Sequence, residues 1–210
     1  MIICGSVGFL SCNKEEINNT ETKVGISDVT VYPTFTMKGE EFMSLVKGGT
    51  FTDPGVTATE GTTPLQVTTT GTVNTNAVGV YEIVYSATNK DGFSGSVTRT
   101  VAVLPSAEIA GVDISGKYSN VGTFAYTATM QKLAPGFYIS DNIWGGGSAA
   151  VIASYLFTVD GTNIIIPKNS ISPYGDVQGT GTLDNAGNLT LKVDLIDVGV
   201  TGSTRKWKKL

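Results

Sequence analysis

Asp141, Asn142 and Trp144 stand together in "SDNIWGGG", and Tyr174 stands in "SPYGD". An aromatic ring beside an amide and a carboxylate is what sugar recognition uses. The CH face of the sugar stacks on the ring, while its hydroxyls meet amide and carboxylate groups. Gly145, Gly146 and Gly147 put no side-chain bulk next to the indole, which predicts an open platform. The plainer alternative makes Trp144 a plug in the core, the glycines permitting a tight turn. Both readings stand at this level.

Hydrolytic chemistry asks for more. A glycosidase needs two carboxylates, about 5 to 5.5 Å apart if retaining or roughly 6.5 to 9.5 Å if inverting. Beyond Glu108 the chain has no glutamate, only Asp113, Asp141, Asp160, Asp176, Asp184, Asp194 and Asp197. Asp160 and Asp184 fall in turn sequences, "TVDGTNI" and "LDNAGNL", and Asp194 and Asp197 lie near a strand end. Asp141 and Asp176 are left in aromatic-rich loops, with nothing to bring them together. There is no histidine, which removes Ser-His-Asp and Cys-His catalysis and His-ligated zinc or haem. "DNAGN" at 184–188 offers calcium-type oxygens but lacks the alternating acids and distal glutamate of an EF-hand loop. The expectation is a non-enzymatic protein with no cofactor and no metal.

The elements that must position these residues are strands. The chain of 210 residues is 40% hydrophobic and only 15% charged, with 26 glycines, and its Thr, Val, Ile and Tyr recur in short runs. That composition predicts an all-β protein with many turns. A net charge of -4 argues against a nucleic-acid partner, since the basic cluster is confined to "RKWKK". That terminus could be a patch for anionic glycan. The better reading is a last strand with Arg205 and Trp207 on one face, its lysines discouraging edge pairing.

From Asp28, "DVTVYPTF", "EEFMSLVKGG", "PLQVTTTG", "VYEIVYSATN" and "SVTRTVAVL" read as strands. In "VYEIVYSA", Tyr81, Ile83, Tyr85 and Ala87 share the face predicted to meet the core. "TDPG" and "NKDG" read as turns. "PSAEIAG" at 105–111 breaks the pattern and reads as a joint between independently folding units. A second β-rich segment follows, "GKYSN", "TFAYTATMQKL", "GFYISDNIWGGG", "AVIASYLFTVDGTNIIIP", "DVQGTGTLDNAGNLTLKVDLI" and "TRKWKKL". There Phe137, Ile139 and Ile143 are expected to face the core. A closed antiparallel barrel or a sandwich would bury it.

Four resemblances enter here. "MIICGSVGFLSC" is an apolar run too short to span a bilayer, which takes roughly 20 residues, and it ends in a Leu-Ser-Cys box. It resembles a bacterial lipoprotein signal, which implies cleavage before Cys12 and acylation of that cysteine. Each buried CH₂ of an acyl chain contributes about 0.8 kcal/mol of membrane anchoring. No positive stretch precedes Ile2, which predicts a translation start a few codons upstream. "NKEE" after Cys12 is similar to the surface-export signal of Bacteroidetes lipoproteins, and implies the outer face of the outer membrane.

"GGTFTDPGVTATE" and "GTVNTNAVGVYEIVYSATNKDGFSGSVTRTVAV" resemble the bacterial Ig-like module of cell-surface proteins, usually a spacer or stalk. "GKYSN" and "GFYISDNIWGGG" resemble the C-terminal domain of Bacteroidetes lipoproteins in which such a module precedes a β domain of unknown function. Those genes often lie among genes for starch-utilisation-type glycan uptake.

The predicted organisation is a signal peptide over 1–11, a flexible tether over 12–27, an Ig-like β-sandwich over 28–104, a linker over 105–111 and a barrel or sandwich over 112–210. The expected function is a lipid-anchored surface protein that binds polysaccharide or oligosaccharide, or assists its uptake, with Asp141, Asn142, Trp144 and Tyr174 as candidate contacts. The alternative is a structural or adhesive protein contacting an outer-membrane partner such as a transporter. A carboxylate-dependent hydrolase is a weak third.

Overall fold

The computed structural model describes residues 23–24, 27–147 and 150–210. The signal segment, Cys12 and nearly all of the tether lie outside the described residues. Among those described there is no helix. The N-terminal strands are β1 Lys23–Val24, β2 Ser27–Asp28, β3 Thr34–Met37, β4 Phe42–Val46, β5 Val56–Glu60, β6 Thr63–Leu65, β7 Thr68–Thr70, β8 Gly79–Thr88 and β9 Ser94–Leu104. A three-stranded sheet, β3-β5-β6, accompanies a four-stranded sheet, β4-β9-β8-β7. The ladder between β4 and β9 is parallel, so the last strand closes that sheet against an early one.

The alternation of β8 comes out as expected, with Ile83, Tyr85 and Ala87 buried. The first strand does not. In "DVTVYPTF" only Asp28, at the end of the short β2, and Thr34 onward, after Pro33, are in strands, and Val29, Val31 and Tyr32 stay exposed. Proline has no N–H to give a ladder, so β pairing starts beyond it.

Arg99 is the charged group at the centre of this sandwich, with no side-chain exposure. Its Nε donates to the Glu40 carbonyl at 3.1 Å, its Nη groups reach the Lys38 carbonyl and the Asp53 carboxylate, and Tyr85 Oη donates to the same carboxylate at 2.5 Å. Asp53 is placed by the "TDPG" turn, where Gly55 N donates back to it at 3.0 Å and Gly55 takes φ +79°. The turn therefore holds the counter-ion of a buried arginine, a role its turn chemistry alone did not suggest.

Burial, reinforced by the Asp53 hydrogen bond, pushes the Tyr85 phenol up to about 12. Burial, with Asp113 nearby, pushes Tyr118 up to about 12 as well. A phenol raised above its ordinary value of about 10 favours the neutral folded form, so its contribution is complete below about pH 10 and is lost as pH rises through about 12. Two phenols should therefore ionise well after the exposed ones in an alkaline titration followed by phenolate absorbance. Unfolding free energy should fall over that same interval, less steeply in Tyr85→Phe. A titration in which all tyrosines ionise together near pH 10 would contradict the burial.

The second half answers the choice between barrel and sandwich. β10 Gly116–Asn120, β11 Thr127–Ala134, β12 Phe137–Ser140, β13 Ser154–Phe157, β14 Asn163–Ser172, β15 Gly175–Leu183, β16 Leu189–Leu195 and β17 Val200–Lys209 form a closed antiparallel barrel. Inward positions alternate along each strand: Leu189, Leu191, Val193 and Leu195 on β16, Tyr118 on β10, Trp207 on β17. β15 coils so closely over β16 that a Cβ on Gly179 would lie 2.1 Å from the Lys192 carbonyl oxygen. The space left between Tyr118, Met130, Ile143, Leu191 and Trp207 admits no water molecule. The interior is a packed core, not a ligand chamber.

Closure corrects one expectation at once. β17 pairs with β16 on one side and β10 on the other, so it is not an edge and its lysines protect none. On β12, Tyr138 and Ser140 point into the barrel, while Phe137 and Ile139 meet a second core on its outer side. Phe137, Tyr155 and Phe157 on the outer wall pack with Phe42, Val80, Ala102 and Leu104 of the N-terminal sheet. Phe137 lies 5.1 Å from the Tyr155 ring and 6.3 Å from the Phe42 ring, centroid to centroid. Aromatic pairs like these contribute about 0.5 to 1.5 kcal/mol each beyond area burial.

This contact explains the "VAVL" run of β9, buried on both faces because one meets the sandwich core and the other the barrel. The 105–111 stretch is also held. Glu108 accepts hydrogen bonds from Gly136 N at 2.9 Å and Tyr138 Oη at 3.2 Å, and pairs with Lys132 Nζ at 2.9 Å.

Candidate functional site

The barrel has two unlike ends. The chain enters at one, where residues 105–115 pass over the ends of β11 and β12. At the other, four connections gather: 121–126 between β10 and β11, 141–153 between β12 and β13, 173–174 between β14 and β15, and 196–199 between β16 and β17. In an antiparallel barrel, alternate connections share an end, so topology alone brings Trp144 and Tyr174 to one rim. Both are partly buried and pack against the barrel core.

Trp144 sits over Ile143, which is buried at the mouth, and the carbonyl of Ile143 accepts a hydrogen bond from Trp207 Nε1 at 3.3 Å. Its ring is not a bare platform. The Arg205 guanidinium carbon lies 3.5 Å from the indole centroid, a close cation–π stack. The neighbouring glycines serve close packing. A Cβ on Gly145, at φ +74°, would lie 2.9 Å from the Asn120 amide, and one on Gly147 would lie 3.1 Å from the Tyr126 ring. The space inferred beside the indole is filled by residues from the 120–126 connection, which no local reading of "WGGG" could supply.

Asn142 is buried, and its Oδ1 accepts from Trp144 N at 3.2 Å and Gly145 N at 3.0 Å, while its amide donates to the Gly146 carbonyl at 3.3 Å. It fixes the shape of the loop from within. Asp141 is exposed and accepts from Thr129 N at 2.8 Å, so one of its oxygens holds the strand end. Tyr174 N donates to Ser172 Oγ at 3.3 Å in the tight turn between β14 and β15. The structure therefore places Trp144 and Tyr174 on one rim, Asp141 at its outer side, and Asn142 beneath the surface.

The two loop aspartates weighed for catalysis have other partners. Asp176 pairs with Lys168 Nζ at 2.6 Å and accepts from Ser170 Oγ, and these hydrogen bonds hold its carboxyl below the usual range. Among the described residues no group of three or more Cys, Asp or Glu side chains is arranged to hold a metal ion.

Three residues of the rim were not legible in the sequence. Phe124 is 65% exposed, and its ring lies 5.9 Å from that of Tyr126 in the 121–126 connection. Arg205 is the third. Its Nε is buried without a partner, and no ion pair or hydrogen bond engages its guanidinium among the described residues. Its register partner Leu191 is buried, so Arg205 faces inward from β17. "TFAY" carries no motif, and the stack of Arg205 on Trp144 joins residues far apart in the chain.

Residues 35–103 match the family described as bacterial surface protein, Ig-like domain. No curated protein matches the chain significantly in sequence. Among solved structures, the lipoprotein BT2262 from Bacteroides thetaiotaomicron is similar at 24% identity, over 85% of this chain and 100% of that one, with a TM-score of 0.42. The M60 catalytic domain of Clostridium perfringens ZmpB with its CBM51-1 and CBM51-2 domains is similar at 14% identity, over 87% of this chain and 23% of that one, with a TM-score of 0.33. CBM51-2 in complex with GlcNAc and INT domains from the same ZmpB is similar at 16% identity, over 84% of this chain and 47% of that one, with a TM-score of 0.29.

Proposed function

We propose that this is a non-catalytic cell-surface lipoprotein, anchored to the outer membrane through acylated Cys12, that binds a polysaccharide or oligosaccharide at the loop end of its barrel. The observation that carries the reading is the convergence of Phe124, Tyr126, Trp144 and Tyr174 from three connections onto one rim. The filled interior supports it too, because a ligand can then only be met on the outside. The surface Ig-like match over 35–103 supports the location and the spacer role of the N-terminal half. On this reading the protein presents glycan to an outer-membrane transporter.

A second reading has its own support. Val121 and Val151 are exposed in two of these loops, and Ile196 and Val198 in the 196–199 connection at the same end, and such a group of apolar side chains is what a partner protein covers.

Phe124→Ala separates glycan contact from stability most cleanly. At 65% exposure the ring supports little of the fold, so stability should change by less than about 0.5 kcal/mol, while binding on a glycan array falls. Trp144→Ala should lose binding too, at roughly half the 3 to 5 kcal/mol that a fully buried Trp costs, because its ring is only partly buried. A full-length chain that binds no glycan would transfer the rim to the partner-protein reading. Cell fractionation of Cys12→Ala checks the anchor: a variant as membrane-bound as the wild type would remove it.

A further inference from the structure

We propose that the ligand is an acidic glycan, and that strand β17 selects it: Arg205 at the rim takes a carboxylate or sulfate group, and a row of lysines on the outer wall follows the same chain. The proposal rests on the glycan reading above and names the class of sugar.

The row follows from register. Lys206 and Lys208 lie on the outward face of β17, opposite in phase to Arg205 and Trp207. Lys192 on β16 pairs with Thr204 and is therefore diagonal to Lys206. Ser119 on β10 pairs with Lys208, which sets Lys117 diagonal to it. Diagonal cross-strand neighbours lie about 7 to 8 Å apart. All four lysines are exposed, and among the described residues none has an ion-pair or hydrogen-bond partner for its ammonium group. Its central strand, β17, lies three strands round the ring from β12 and four from β13, which carry Phe137, Tyr155 and Phe157 against the N-terminal sheet, so the wall faces away from that sheet.

Two explanations for these charges are absent. Edge protection does not apply, since β17 is paired on both sides. Local neutralisation does not apply either. Asp194 accepts from Gly202 N and Gln178, Asp184 caps the turn at Ala186 and Asn188, and Asp176 is paired with Lys168. A chain of net charge -4 that gathers unpaired cations on one wall has set them aside for an external anion.

Arg205 adds specificity to that field. A guanidinium has five N–H donors in a planar fork, and stacking on an indole fixes the plane while leaving the donor edges for an oxyanion. Arg205 is only partly buried overall, so ligand can reach it, yet its Nε has no acceptor. Burial pulls its pKa below the ordinary arginine value, as expected for a cation that lacks a counter-ion.

Affinity electrophoresis of the full chain tests this in gels containing polygalacturonate, chondroitin sulfate or neutral dextran, with phosphatidylglycerol vesicles assayed by flotation. Retardation is expected in one or both acidic gels and not in dextran, weakening as salt rises. Lys206→Gln with Lys208→Gln, exposed and unable to disturb the core, should weaken acidic binding about ten-fold at low salt. Arg205→Gln should abolish it, and Arg205→Lys should not restore it, because an ammonium lacks the fork. Retardation by neutral dextran that none of these substitutions changes overturns the acidic class but leaves the glycan reading standing. No retardation by any polysaccharide removes both. Equal binding to vesicles and acidic gels, indifferent to Arg205, means a general polyanion surface and overturns the proposal.

Discussion

Replacing Asp53 by alanine should destabilise the N-terminal sandwich by about 3 to 5 kcal/mol, the cost of leaving a buried charge without its partner. Arg99 has no side-chain exposure and Asp53 is its carboxylate partner, so the guanidinium cannot turn to solvent without opening the sheets. The same substitution removes the acceptor for Tyr85 Oη and for Gly55 N. Asp53→Asn keeps acceptors for both and should lose less. Pairing Asp53→Ala with Arg99→Met should recover much of the loss, because an apolar pair of similar volume does not carry the desolvation cost. Denaturant unfolding of the three variants gives the comparison. A loss below about 1 kcal/mol for Asp53→Ala would mean that the pair is hydrated and its charge already compensated.

Trp207→Ala should cost about 3 to 5 kcal/mol as well, for a different reason. The indole is 2% exposed among Tyr118, Met130, Leu189 and Leu191, in a core that leaves no room for a water molecule. It also donates to the Ile143 carbonyl, so its loss releases the floor beneath Trp144. Glycan binding should then fall even under conditions where the variant remains folded, which ties the core to the rim. Thermal unfolding and the array measured together check both effects. A stable variant with unchanged binding would show that the loop is held by Asn142 and Asn120 alone.

The Ig-like half was nearly readable from its pattern. The core face of β8 follows from strict alternation, and the turns at Gly55 and Gly92 follow from the need for positive φ, observed at +79° and +86°. Cross-strand partnership was not readable. The same turn that predicts Gly55 hides Asp53 as the partner of Arg99, because 46 residues separate them and only sheet packing brings them together. Likewise "GFYIS" alternates as a strand should, yet that its two faces meet two different cores was not readable. Both faces are apolar, and both are buried: Tyr138 in the barrel, Phe137 against the N-terminal sheet.

Of the candidate site, Trp144 and Tyr174 were visible as loop-borne aromatics, while Arg205, Phe124 and the burial of Asn142 were not. The sequence by itself determined an all-β chain, an Ig-like first half, a second β unit and the absence of histidine chemistry, since these depend on composition and on periodicity within single strands. Tertiary structure alone decided that the second unit is a closed barrel, that its interior is full, and that its last strand has no free edge. Closure depends on the pairing of β10 with β17, strands at opposite ends of the second half. A local pattern cannot encode that contact, and that contact turns the terminal lysines from edge guards into an unpaired basic wall.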